Sequence, residues 1–118
     1  MSSHQSDFPL QVVEEEGRVT VCFPANTKLS EANAEEFSRE LLALTEQRER
    51  PHLLVDLGGV SMLTSVILAK FIALNGRVRA AGGRLTLFNP TPVVQQVFKV
   101  TRLDTILELH PFAHQIPA

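Results

Sequence analysis

Leu53-Leu54-Val55-Asp56-Leu57-Gly58-Gly59-Val60-Ser61-Met62-Leu63-Thr64-Ser65-Val66-Ile67-Leu68-Ala69-Lys70-Phe71 decides how this chain is read. Leu53 to Leu57 is a near-continuous apolar run, the mark of a central strand covered on both faces. From Ser65 the spacing turns helical and runs to Gly82-Gly83. Ile67, Phe71, Leu74, Val78 and Ala81 make one stripe, widened by Leu68 and Ile72, with Lys70, Arg77 and Arg79 outside it. Thr64 and Ser65 therefore stand where a strand becomes a helix. The first four N–H groups of a helix lack internal partners, and the macrodipole adds positive potential there. A hydroxyl at that point can cap the helix or carry a phosphate without disturbing the fold.

Towards the N-terminus, Leu10 to Glu14 reads as a strand. Glu15-Glu16-Gly17 breaks it, and Arg18 to Phe23 follows with Val19, Val21 and Phe23 on one face. The short glycine-containing link predicts a hairpin. Cys22 lies on the other face of its strand and is read as a passive small residue. Pro24 to Lys28 is turn-rich. Ser30 is placed as the cap of a helix whose first turns carry Glu31, Glu35 and Glu36 and whose apolar side is Ala34, Phe37, Leu41 and Leu44, with Leu42 beside them. That helix is expected to end near Gln47, before Pro51.

Towards the C-terminus, Gly82-Gly83 supplies a left-handed helix end. Arg84 to Phe88 is the next strand. Asn89-Pro90-Thr91-Pro92 is a loop whose last proline suits a first helical turn. Val93, Val94, Val97, Phe98 and Val100 outline a short amphipathic helix, and Thr105 to Leu109 a last strand. The order β-β-α-β-α-β-α-β predicts a single α/β domain over residues 8–110. Its sheet is mixed but mostly parallel, with an N-terminal hairpin and three to four helices. Residues 1–7 are expected to be a disordered tail and residues 111–118 a C-terminal tail. In such sheets functional loops gather beyond the strand C-termini. Here those loops are Pro24 to Ser30, Gly58 to Ser65 and Asn89 to Pro92.

Composition narrows the function. The chain has 118 residues, 44% of them hydrophobic and 20% charged, and a net charge of −2. One core fits that length. The charge argues against nucleic acid as a partner, and no apolar run approaches the roughly 18–20 residues that span a bilayer, so no membrane insertion is expected. The polar start Met1 to Asp7 lacks a signal peptide's apolar core, which points to the cytoplasm. A single cysteine and scattered histidines (His4, His52, His110, His114) offer no metal cage. Gly58-Gly59 and Gly82-Gly83 lack the spacing of a phosphate loop or dinucleotide fingerprint, and Ser65 lacks a nucleophile elbow. Hence no catalytic residue, metal or cofactor is expected. Asp56 and Ser61 are expected to serve the fold by accepting backbone N–H bonds.

The central stretch resembles the middle of a STAS domain, the fold of bacterial anti-sigma factor antagonists. Arg77 to Leu87, Asn89 to Val93 and Val97 to Asp104 extend the resemblance in the right order over roughly residues 8–110. In that family the stretch after the central strand reads Asp-Ser-Ser/Thr-Gly-Leu, and a kinase-type anti-sigma factor phosphorylates its first serine. The resemblance places the phosphoacceptor at Ser65. Thr64 stands at the family's Asp, Val66 at its second Ser and Ile67 at its Gly, while the Leu-Asp pair of the first loop is Leu29-Ser30 here.

The resemblance implies a non-catalytic regulatory domain that switches partners under control of Ser65 phosphorylation. The implied partners are a kinase-type anti-sigma factor, or a related signalling protein, and a phosphatase; a homodimer is a further option. The expected partner surface comprises Asn26, Thr27, Lys28, Leu29, Ser30, Ser61, Met62, Thr64, Val66, Ile67, Asn89 and Thr91. Two alternatives stand beside this reading. One is a constitutive STAS subunit of a larger complex such as a lipid-transport ATPase. The other is a small-ligand or nucleotide-binding module, or an enzyme, on a similar fold.

Overall fold

The computed structural model describes residues 8–46 and 48–116. The expected tail over 1–7, the helix end at Gln47 and the last two residues lie outside the described residues.

Strand β1 (Gln11–Glu15) and β2 (Arg18–Cys22) pair antiparallel, with Gly17 at φ 81° completing the turn between them. β2 then pairs parallel with β4 (His52–Asp56), β4 with β6 (Arg84–Phe88), and β6 with β7 (Glu108–His110). The sheet order is β1-β2-β4-β6-β7, so the run around Leu54 is the central strand. The expected mixed, mostly parallel α/β architecture with its hairpin is what the chain adopts.

Three α-helices are described: α1 (Ala34–Glu46), α2 (Ser65–Ala80) and α3 (Pro92–Val100). The start of α1 corrects the sequence reading. Ser30 is not its cap: the Ser30 hydroxyl accepts the Ala32 N–H inside a turn, and the helix begins four residues later. At the other end of α2 the glycine signal works as read. The Gly82 N–H bonds the Arg79 carbonyl and the Gly83 N–H bonds the Val78 carbonyl, the pattern of a Schellman ending.

Alternate residues of β2, β4 and β6 face α1 and α2. Val19 and Val21, Leu53 and Val55, and Leu85 and Leu87 join Phe37, Leu41, Ile67, Phe71, Leu74 and Val78 in one core. Phe8 closes this core at one side, within 6.1 Å of Phe23 and 6.0 Å of Phe37 between ring centroids. Two residues placed on the helical stripe, Ile72 and Ala81, are exposed instead, as are Val93 and Val100 on α3. The opposite face of the sheet is largely polar. Leu54 is buried there between Thr20 and Thr86 of the neighbouring strands, outside the core cluster. The apolar run therefore marked a central strand, but the cover on its second face is not a second apolar layer.

Two strands escaped the sequence reading. β3 (Thr27–Leu29) and β5 (Val60–Leu63) form a separate parallel pair within segments read as loops. The last strand is shorter than expected. Leu103–Thr105 coils into a 3-10 turn, and β7 starts only at Glu108. His110, expected near the start of the tail, ends that strand and accepts the Asn89 N–H at its carbonyl. Within the expected C-terminal tail, Ala113–Gln115 forms a further 3-10 turn.

Candidate functional site

The three expected loops meet beyond the C-terminal ends of β2, β4 and β6, and backbone bonds hold them there. The Thr27 N–H donates to the Gly59 carbonyl at 2.9 Å, and the Thr64 N–H to the Leu29 carbonyl at 3.1 Å. Between these bonds, Thr27 pairs with Val60, Lys28 with Met62 and Leu29 with Leu63, with a register shift after Thr27. Ser61, expected to accept a backbone N–H, instead donates its hydroxyl to the Thr27 carbonyl at 3.4 Å, because the β3/β5 pairing brings that carbonyl to it. Thr91 ties in the third loop: its hydroxyl donates to the Val60 carbonyl at 3.1 Å and accepts the Val94 N–H that starts α3.

Close packing explains the glycine at 59. A Cβ there would sit 2.1 Å from the Phe23 carbonyl oxygen, which no side chain tolerates. Asn26 and Asn89 both hold left-handed backbone, at φ 66° and 58°, a conformation that asparagine accepts more readily than most residues.

Asp56 plays the role expected of it. Its Oδ1 accepts the Gly58 N–H at 2.9 Å and the Asn89 side-chain amide at 3.1 Å. The carboxylate thus fixes the turn after β4 and the loop after β6 at once. Cys22 lies close by, its Sγ 3.9 Å from Asp56 Oδ2. Burial first, then the Asp56 charge and hydrogen bond, push the thiol above its usual range.

At the junction with α2, Thr64 takes the cap position in extended backbone, but its side chain makes no cap bond. Thr64 Oγ1 is buried and bonds no described residue. Ser65 is exposed, and the first turn of α2 contains no acidic residue. The junction therefore presents a hydroxyl to solvent at the positive end of a helix of 16 residues.

Among the expected contact residues, Asn26, Lys28, Met62 and Asn89 are exposed, and Thr27, Ser30, Ser61, Thr64, Val66 and Thr91 half-buried. Leu29 and Ile67 are not surface residues. Both have 0% exposure and belong to the core. Leu29 faces inward because β3 is a strand, and Ile67 because the first turn of α2 turns that side onto the sheet. Among the described residues no group of three or more His, Cys, Asp or Glu could hold a metal, and no helix is long and apolar enough to cross a membrane.

The family model described as "Mlab, STAS domain" matches residues 15–109. The chain belongs to the STAS family. Solved STAS-type structures share its fold. An anti-sigma-factor antagonist (STAS) domain protein from Planctomyces limnophilus is 22% identical, with 91% of this chain and 93% of that one aligned at a TM-score of 0.80. An anti-sigma factor antagonist from Mycobacterium paratuberculosis is 21% identical over 89% of this chain and 86% of its own, TM-score 0.76. The anti-sigma factor antagonist SpoIIAA in its unphosphorylated form is 19% identical over 85% and 86%, TM-score 0.68. The phosphorylated form of the Bacillus protein is 20% identical over 85% and 89%, TM-score 0.59. Comparison with curated protein sequences gives no match. At these identities the likeness of this STAS domain to the solved structures is one of fold.

Proposed function

We propose that this STAS domain is a non-catalytic regulatory module that works by protein contact through the surface around Ser65, and that phosphorylation of Ser65 switches the contact. The observation that carries the reading is the placing of Ser65: exposed, first in α2, with no acid in its turn, and framed by the β3/β5 pair. A phosphate there adds about −1.5 to −2 charges at a helix N-terminus, which favours them, so the fold survives and the surface changes. The partner is a kinase-type anti-sigma factor or related signalling protein, reset by a phosphatase, and the contact residues are Asn26, Lys28, Met62 and Asn89 around Ser65. A fold shared with anti-sigma factor antagonists, one of them solved with and without phosphate, supports this.

Capture of partners from the native cell extract by wild type, Ser65→Ala and Ser65→Glu tests it, together with phosphate mapping on the native protein. Ser65→Ala should hold its partner throughout, and Ser65→Glu should lose it at least tenfold, which corresponds to about 1.4 kcal/mol. Equal capture by all three, with no phosphate on Ser65, would refute the switch.

That second outcome fits another reading, a constitutive STAS subunit of a larger complex such as a lipid-transport ATPase. Two observations favour it. Ile67 fills the family's glycine position as a fully buried core residue, and the matching family model is the one described as Mlab.

A further inference from the structure

An open recess lies at the far end of α2 from Ser65, about 24 Å away at 1.5 Å per helical residue. It measures about 500 Å³ and is lined by Arg50, His52, Arg79, Arg84, Glu108 and the Gly82-Gly83 turn. That volume lies within the range of small-molecule sites. Three arginines against one carboxylate leave two positive charges, in a chain whose net charge is −2.

The carboxylate does not cancel the free cations. Glu108 is already engaged: Arg84 Nε donates to its Oε1 at 2.7 Å, Arg84 Nη2 reaches Oε2, and His110 Nε2 lies 2.7 Å from Oε2. Arg50 and Arg79 have no acidic partner among the described residues. His52 sits beside them with its ring Nε2 3.2 Å from the Thr86 hydroxyl. Burial first, then the charges of Arg18 and Arg84, hold that imidazole below its usual range. The recess is thus a place where positive charge is held in excess.

Its frame is rigid. A Cβ on Gly83 would stand 2.1 Å from the Pro51 carbonyl oxygen, and the Arg84 N–H bonds that same oxygen at 2.7 Å. Arg50 holds left-handed backbone at φ 50°, and its Cγ lies 3.4 Å from the Cβ position of Gly82. A non-glycine residue in that conformation is uncommon, and the strain persists only where the surroundings fix it.

We propose that this recess binds a phosphate group, gripped by Arg50 and Arg79 with Arg84 at its base. Guanidinium forks suit phosphate oxygens, and Arg84 keeps N–H donors beyond those spent on Glu108. The site is separate from the Ser65 surface and does not depend on it.

The test is a titration of isotope-labelled protein with pyrophosphate, followed through the amide resonances of Gly82, Gly83 and Arg84, with citrate as a control anion. Saturable shifts confined to this end of α2 are expected. Arg50→Ala and Arg79→Ala should each weaken binding about tenfold, the loss of one charge-assisted contact, while melting stays unchanged. A vesicle arm then separates the sources. Capture on phosphatidic acid but not phosphatidylcholine, competed by pyrophosphate, assigns the phosphate to a lipid headgroup, and no capture assigns it to a soluble ester. Shifts that never saturate, citrate binding as tight as pyrophosphate, or alanine variants that bind like wild type would overturn the proposal.

Discussion

Asn89 donates its side-chain amide to Asp56 Oδ1 at 3.1 Å, across the ends of two neighbouring parallel strands. The same oxygen holds the Gly58 N–H, so one half-buried carboxylate sets the position of two loops. Asp56→Ala should lower stability by about 1–2 kcal/mol, because two donors lose a charged acceptor. Asn89→Gly, which keeps the left-handed backbone, should cost less, since Gly58 keeps its bond. Urea denaturation of both variants checks the ranking, and an unchanged midpoint for Asp56→Ala would remove its structural role.

Thr64 makes an unusual prediction for a helix cap. Its hydroxyl is buried without a described partner, so the oxygen costs desolvation and returns nothing. Thr64→Val keeps the shape and should leave stability unchanged or raise it by up to about 1 kcal/mol. A loss of about 1 kcal/mol, the usual value of a working cap, would show that the hydroxyl does bond the helix start in solution.

Leu29 and Met62 stand on paired strands yet should behave oppositely. Leu29 is fully buried, and Leu29→Ala should cost about 2–5 kcal/mol and bring partner loss only through unfolding. Met62 is 40% exposed, so Met62→Ala should change stability by less than about 0.5 kcal/mol. If it also leaves partner capture intact, Met62 is not a contact residue.

Acid sensitivity should trace to Glu108. Burial alone would raise its carboxyl, but the hydrogen bonds from Arg84, His110 and Thr86 and the Arg84 charge outweigh that and hold it at about 2, from a usual 4.5. A carboxyl lowered by folding stabilises fully above its unfolded value, and the contribution disappears as pH falls through about 2. With the side chain 27% exposed, screening leaves an effect on the order of 1 kcal/mol. Glu108→Gln should therefore melt a few degrees lower at neutral pH and lose less than wild type between pH 5 and pH 2. Parallel acid profiles for the two proteins would disprove this.

Two glycines should diverge. Gly76 lies inside α2 with nothing within 4 Å of its Cβ position, so Gly76→Ala should stabilise by about 0.5–1 kcal/mol. Gly59→Ala must displace the Phe23 backbone and should destabilise strongly. Thermal melts of the pair give the answer directly.

The sequence carried the main sheet and the α2 junction because those signals are local. The apolar run at Leu53 to Leu57, the stripe from Ile67 to Val78 and the Gly82-Gly83 stop each lie within one element. β3 and β5 were illegible because each is only a few residues long and exists by pairing with a segment more than thirty positions away. Their absence from the reading is also why Leu29 passed for a surface residue. The basic recess was hidden for a similar reason. Arg50, Arg79, Arg84 and Glu108 look like scattered solvated charges until the entrance of β4, the end of α2 and the neighbouring strands β6 and β7 bring them to one place.

The β3/β5 pair has three registered positions and a bulge, and nothing in the main ladder continues it. So short a ladder, built from distant segments, has few bonds to lose and much loop entropy to regain. Its amides, at Thr27 to Leu29 and Val60 to Thr64, should exchange with solvent together and well before those of β4. The Ser65 platform would then behave as a hinged panel on a fixed frame, lifting Leu29, Val60 and Leu63 from the core while the main sheet stays paired.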